Sequence, residues 1–180
     1  ESYFDDLTPI ADQAAATGEL LTFKNGDAAE MLFTGCATVT HDTTASPKKI
    51  TIDFGSVNCL CKDGRYRRGV IEVTYTGKYR DPGTVITITP QNYFVNEHEL
   101  TGSKTVTNNG QNAAGNLNFT INISGSVIKP NGGGTITYQS TRNREWKEGQ
   151  GTWQWNDDVY LITGTASGTN AKGVDFEADI

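Results

Sequence analysis

From residue 48 to the end of the chain, apolar and polar residues alternate in run after run, and this period of two constrains the fold more than any other feature. The clearest run is residues 117–124, in which Leu117, Phe119, Ile121 and Ile123 alternate with polar residues. Successive side chains of a β-strand point to opposite faces of the sheet, so each run predicts a strand with one apolar and one polar face. Antiparallel sheets tolerate a solvated face, whereas buried parallel sheets do not.

Similar runs occupy residues 50–54, 71–76, 86–89 and 174–180. Glycine-containing pairs that favour tight turns separate them. Seven turns are predicted, at Asn25-Gly26, Asp63-Gly64, Pro82-Gly83, Asn109-Gly110, Asn131-Gly132, Ser167-Gly168 and Lys172-Gly173. Their wide spacing predicts strands of roughly 9–13 residues, joined one after another in a meander.

A long meander must curl, close or have one face covered. We therefore predict an all-β fold, in which a long-stranded antiparallel meander forms a strongly curved sheet or open barrel with a short N-terminal helix. A two-layer β-sandwich is the alternative. The predicted domains are an N-terminal helix segment, residues 1–18, and a single antiparallel β domain, residues 19–180.

The N-terminal helix is predicted from apolar residues that recur at three- and four-residue spacing over residues 2–17, with Gly18 ending it. Pro9 lies past the first turn of that helix. A helix that begins near Thr8, with Pro9 at its first position, is therefore the alternative.

The net charge of −6 argues against nucleic-acid binding. The charge is uneven, because residues 1–31 are strongly acidic and residues 62–80 are basic. We expect these two stretches to pack beside each other. An anion or polysaccharide site on the basic stretch is the alternative.

The ends of the chain bear on export. The sequence begins without Met and contains no apolar run of the ~20 residues that span a bilayer, so we expect a mature chain whose targeting segment has been removed. It ends at Ile180 inside a clean alternation, and we expect the natural chain to continue.

Three cysteines, Cys36, Cys59 and Cys61, favour one disulfide from Cys36 to Cys59, with Cys61 as the alternative partner. Such a bridge implies an oxidising compartment. Three reduced core cysteines remain the other interpretation. The C-x-C spacing is not that of a zinc-binding pair, and no second pair follows.

Catalytic motifs are lacking. The sequence has no G-x-S-x-G elbow, no phosphate loop and no histidine pair with metal-ligand spacing, so we predict no catalytic residues, metal or cofactor. A glycosidase pair could still be drawn from Glu97, Glu99, Glu145 and Glu148.

The stretch of residues 142–155 holds all three tryptophans and two arginines. Aromatic rings beside arginines often bind sugars and peptides. The candidate ligand-binding residues are Trp146, Trp153, Trp155, Arg142, Arg144, Tyr79 and Arg80. The alternative is that Trp153 and Trp155 are core residues.

Several segments resemble a family of uncharacterised, exported, lipid-anchored envelope proteins of Gram-negative bacteria. They are TIDFG (51–55), DGRYRRG (63–69), VTYTGKYRDPGTVITI (73–88), TGSKTVTNNG (101–110) and DDVYLITGTASGTN (157–170). The resemblance spans roughly residues 36–180 and carries no known catalytic motif. It implies a secretion signal and a lipid-attachment cysteine upstream of Glu1, with membrane association only through that anchor.

The sequence thus predicts a non-catalytic binding or scaffolding protein, exported to the periplasm or the outer-membrane surface of a Gram-negative bacterium. Its expected partner is a glycan or another envelope protein. A carrier of an apolar small molecule, held in a void of several hundred Å³ inside a curved barrel, is one alternative. A polysaccharide-acting enzyme is another.

Overall fold

The computed structural model describes residues 2–16, 35–152 and 157–180. Two short helices, α1 (Ser2–Asp5) and α2 (Leu7–Ala16), precede ten strands. The strands are β1 (Thr38–Asp42), β2 (Lys48–Asp53), β3 (Cys59–Leu60), β4 (Tyr66–Tyr75), β5 (Val85–Val95), β6 (His98–Gln111), β7 (Leu117–Ile128), β8 (Thr135–Glu148), β9 (Val159–Thr169) and β10 (Asp175–Asp179). A 3₁₀ turn, Pro130–Gly132, joins β7 to β8.

All ten strands form one antiparallel sheet in the order β1-β2-β4-β5-β6-β7-β8-β9-β10, with β3 paired to the start of β4. The sheet is not closed, because β1 and β10 are its two edges. The predicted antiparallel meander with a short N-terminal helix is confirmed. The sandwich alternative is wrong for the described residues, since every strand belongs to the same sheet. The predicted boundary between residues 18 and 19 lies outside the described residues.

The two faces of the sheet follow the predicted alternation. The apolar face carries fully buried residues such as Ile71 and Val73 of β4 and Ile88 of β5. The opposite, polar face carries mainly threonine, serine and asparagine on β6 to β9. The helices lie on the apolar face, where Leu7 and Ile10 are also fully buried.

The N-terminal segment forms two helices that are interrupted at Asp6, whereas one continuous helix was predicted. Pro9 explains the break. Its nitrogen cannot donate to the carbonyl of Asp5, four residues earlier, and its ring crowds that carbonyl. The second helix begins at Leu7, one residue before the alternative start, so Pro9 lies in its tolerated first turn.

Two predicted turns are wrong. Ser167-Gly168 lies inside β9, and Asn109-Gly110 lies inside β6, where the pairing with β7 shifts register. The Asn108 side chain accepts the Gly110 backbone N–H at 2.7 Å, which stabilises a bulge there instead of a hairpin. Asn25-Gly26 lies outside the described residues.

Phe4 anchors the helices in a notch of the sheet. Gly102 and Gly125 face each other across β6 and β7, and a Cβ atom at Gly125 would lie 2.6 Å from the Phe4 ring. The ring also stacks with Tyr138, the neighbour of Gly125 on β8, at 6.1 Å between centroids. Gly125 therefore leaves the space that the fully buried Phe4 side chain fills.

Cys36 and Cys59 form the disulfide, and Cys61 is a buried free thiol. The predicted pairing is confirmed. The bridge ties the segment before β1 to β3 across a separation of 23 residues.

Replacing both bridged cysteines with serine should lower the free energy of unfolding by about 3 kcal/mol, because the bridge restricts the unfolded chain. Urea unfolding without reductant measures the change. Both cysteines are replaced so that Cys61 cannot pair with a remaining one. Cys61→Ala, which keeps the bridge, is the control, and a double variant as stable as that control would contradict the prediction.

Candidate functional site

Four of the predicted ligand-binding residues come together at one end of the apolar face. The Arg80 guanidinium lies 4.6 Å from the centre of the Trp146 ring. The Arg144 guanidinium lies 5.7 Å from the ring of Tyr79 and 5.1 Å from that of Tyr160. Long-range pairing of β8 with β7 and β9 thus assembles a cluster of two arginines and several aromatic rings.

This cluster is part of the core. Trp146 is 2% exposed and Tyr79 is 4% exposed, so neither ring offers a surface on which a ligand could stack. The Trp146 indole donates to Asp158 Oδ1 at 3.2 Å. Burial raises the pKa of Tyr160 to about 12, which keeps that phenol neutral. The arrangement fits a packed end of the sheet stabilised by cation–π contacts.

The other predicted ligand-binding residues lie elsewhere. Arg142 points into the middle of the apolar face, where it donates to the Tyr138 hydroxyl at 2.6 Å and to Ser140 Oγ at 3.0 Å. Trp153 and Trp155 lie outside the described residues. A ligand site that uses these tryptophans stays a prediction.

The opposite face of the sheet is an array of hydroxyl and amide groups. Pairing places Thr87, Thr105, Asn122, Thr141 and Thr165 beside one another in a row that crosses β5 to β9. Strands lie about 4.8 Å apart, so the row is a continuous band of hydrogen-bonding side chains.

An open groove of about 530 Å³ runs along this polar face at β8, β9 and β10. Nine residues line it, of which three, Ser140, Ala166 and Ala178, lie between six exposed polar residues along the strands. The six are Gln139, Thr141, Thr165, Ser167, Glu177 and Asp179. The volume falls in the range of about 300–1,000 Å³ that is typical of small-molecule sites.

The groove side chains have hydrogen-bonding capacity to spare. Thr141 donates to Asn122 at 3.0 Å. Within the described part of the chain, the side chains of Gln139, Thr165, Ser167 and Glu177 make no hydrogen bond or ion pair. Their hydroxyl, amide and carboxylate groups are therefore open to a ligand.

The groove was not predicted from the sequence. Polar residues at every second position from Thr163 to Thr169 were the available signal. They indicate a polar strand face, but not which other strands lie beside it. The groove depends on the register that places Gln139 and Glu177 on either side of Ser167.

Little free space lies between α2 and the sheet in the part of the chain that the structure describes. Between the helices and the sheet, the described residues leave a cavity of about 40 Å³, lined by Thr8 and Ala11 from α2 and by residues of β4 to β8. That volume suits one or two water molecules. The void of several hundred Å³ that an apolar-ligand carrier would need is not present between these elements.

A second set of buried polar groups lies at the start of β4. Arg67 is 1% exposed, forms two hydrogen bonds to the Asp63 carboxylate at 2.7 and 2.6 Å, and donates to the Tyr93 hydroxyl at 3.1 Å. The hydrogen bonds from Arg67 hold the pKa of Asp63 below its usual range, and burial raises the pKa of Tyr93 to about 12. Burial alone would lower the pKa of Arg67, but the Asp63 carboxylate raises it above its ordinary value.

The protein is a single open antiparallel sheet among the described residues. Helices cover its apolar face, and the groove lies on its solvated polar face. No protein-family model, curated protein or solved structure matches the chain. Membership of the envelope family therefore stays a prediction. Among the described residues, neither helix has the length and apolarity to span a bilayer.

Proposed function

We propose that this protein is a non-catalytic binding protein of the cell envelope, and that its ligand is a glycan held in the polar groove of β8, β9 and β10. The observation that carries the proposal is the groove of about 530 Å³, whose lining side chains have unused hydrogen-bonding groups. A glycan presents many hydroxyl groups, each of which both donates and accepts. A lining of hydroxyl, amide and carboxylate groups is complementary to such a ligand.

The disulfide between Cys36 and Cys59 supports placement outside the cytoplasm, because such bridges persist in oxidising compartments such as the periplasm. Export to the periplasm or the outer-membrane surface is part of the proposal.

Screening of the protein on a glycan array, followed by calorimetric titration of the best ligand, tests the proposal. The double variant Gln139→Leu, Thr165→Val keeps the approximate shape of both side chains but removes their hydrogen bonds to the ligand. We expect a loss of affinity of about tenfold, because each lost hydrogen bond costs about 0.5–1.5 kcal/mol.

Thr105→Val is the matched control. Thr105 belongs to the same row of polar residues but lies on β6, outside the groove, so its replacement should leave affinity unchanged. The groove proposal fails if no glycan binds or if the control loses as much affinity as the double variant. Cleavage of a bound glycan, abolished by Glu177→Gln, would favour the polysaccharide-acting enzyme instead.

A further inference from the structure

The apolar face carries two buried cations, although burying an apolar side chain there would cost less free energy than burying a charge. Lys104 of β6 is 5% exposed, although its paired neighbours Ile88 and Ile123 are apolar. The side chain of Arg142, two strands away, is 11% exposed. Removing a cation from water is costly unless an anion or hydrogen-bond acceptor compensates. An anionic group is therefore expected close to such buried cations.

The N-terminal helix supplies an anion at this place. Asp5 Oδ1 lies 3.8 Å from Lys104 Nζ and 3.6 Å from the Arg142 guanidinium. The Asp5 side chain is 44% exposed, so water screens both contacts. The Lys104 ammonium also donates to the Phe4 carbonyl at 3.4 Å. The helix thus places a partly exposed carboxylate beside two buried cations.

Next to that carboxylate, the helices present an apolar strip to the sheet. Leu7 and Ile10 are fully buried, and Ala11 is 4% exposed. Among the described residues, no backbone hydrogen bond joins the helices to a strand. The ladder of the sheet therefore does not depend on backbone hydrogen bonds from the helices, which are held on the face by buried side chains.

We propose that the apolar face beneath the N-terminal helices is a second binding site, whose ligand is a single-chain amphiphile with an anionic head, such as a long-chain carboxylate. The head takes the place of the Asp5 carboxylate between Lys104 and Arg142. The chain replaces Leu7 and Ile10 against the apolar strands. Since only about 40 Å³ is free with the helices in place, binding requires that they move aside. The site lies on the face opposite the glycan groove and does not depend on it.

Calorimetric titration of the 180-residue protein with hexadecanoate and with its methyl ester, both as monomers, tests the proposal. The two probes share a chain and differ in the charge of the head. We expect the acid to bind at least about tenfold more tightly than the ester, because charge-assisted hydrogen bonds are the stronger ones. Asp5→Asn should tighten binding of the acid, since the competing carboxylate is removed.

Lys104→Met should abolish the preference for the acid, and Arg142→Gln is the second variant if that one does not fold. Lys49→Met removes an exposed lysine on the polar face, paired with Glu72, and should leave the preference unchanged. Hydrogen exchange gives an independent measurement, in which the amides of residues 4–11 should exchange faster with ligand bound while β6 and β7 stay protected.

Equal affinities for acid and ester would overturn the role of the cations. Binding that leaves exchange at residues 4–11 unchanged would place the ligand elsewhere. Failure of both the wild type and Asp5→Asn to bind either probe would reject the site. None of these results touches the glycan proposal, which is measured at the other face.

Discussion

Asp63→Asn should lower the free energy of unfolding by about 3 kcal/mol at pH 7, measured by urea unfolding followed by tryptophan fluorescence. The change leaves the Arg67 guanidinium, 1% exposed, without its carboxylate. Removing one partner of a buried ion pair typically costs about 3–5 kcal/mol. We expect a loss at the lower end of that range, because the Asp63 side chain is itself 21% exposed.

The effect should depend on pH. The pKa of Asp63 is lowered in the folded protein, so its stabilising contribution is fully present above the pKa of the unfolded chain, about 3.9. That contribution is lost as the pH falls through the lower folded-state value. The difference between wild type and Asp63→Asn should therefore be constant from pH 5 to 7 and shrink below about pH 4.

Glu72→Gln is the matched control. Glu72 lies on the same strand as Arg67 but pairs on the polar face with Lys49, where the two side chains are 31% and 39% exposed. An exposed pair contributes about 0–1 kcal/mol, so this variant should be nearly as stable as the wild type. Equal losses in the two variants would show that Arg67 does not depend on Asp63.

The alternation of apolar and polar residues was enough to predict the faces of the sheet, because side-chain direction in a strand is a local property. Residues 117–124 illustrate this: they lie in β7, with Phe119, Ile121 and Ile123 on the buried face. Turns were less predictable. Gly168 looks like part of a turn, but it lies inside β9, where a Cβ atom would be 3.0 Å from the Phe176 ring. Sequence alone did not show that aromatic neighbour.

The candidate sites depend on pairing between distant strands, which local patterns do not encode. Trp146 and Arg144 suggested an exposed surface because of their chemistry, yet β7 and β9 enclose them. The groove forms only when β8, β9 and β10 pair in the observed register. The charged cluster beneath the helices forms only because Asp5 lies close to Lys104 of β6 and Arg142 of β8. The structure shows which of these residues lie close together, and the sequence alone does not.

Phe4→Ala should lower the free energy of unfolding by about 3–5 kcal/mol, measured by urea unfolding at pH 7. The cost of a truncated core side chain depends on how well its surroundings can close the gap. Phe4 packs over Gly125, which has no side chain that could move into the space left by the ring. Tyr138 would also lose its stacking partner at 6.1 Å. We therefore expect the upper part of that range.

Phe94→Ala deletes the same number of atoms at a contrasting position, since Phe94 lies on the polar face beneath the Arg68 guanidinium, at 3.8 Å. It is only partly buried, and solvent can occupy the space it leaves, so we expect a loss nearer 1 kcal/mol. Phe4→Ala should also speed amide exchange in residues 5–11, while Phe94→Ala should not. If both variants lost the same stability and neither changed that exchange, Phe4 would not be the anchor of the helices, and the covered apolar face would need another explanation.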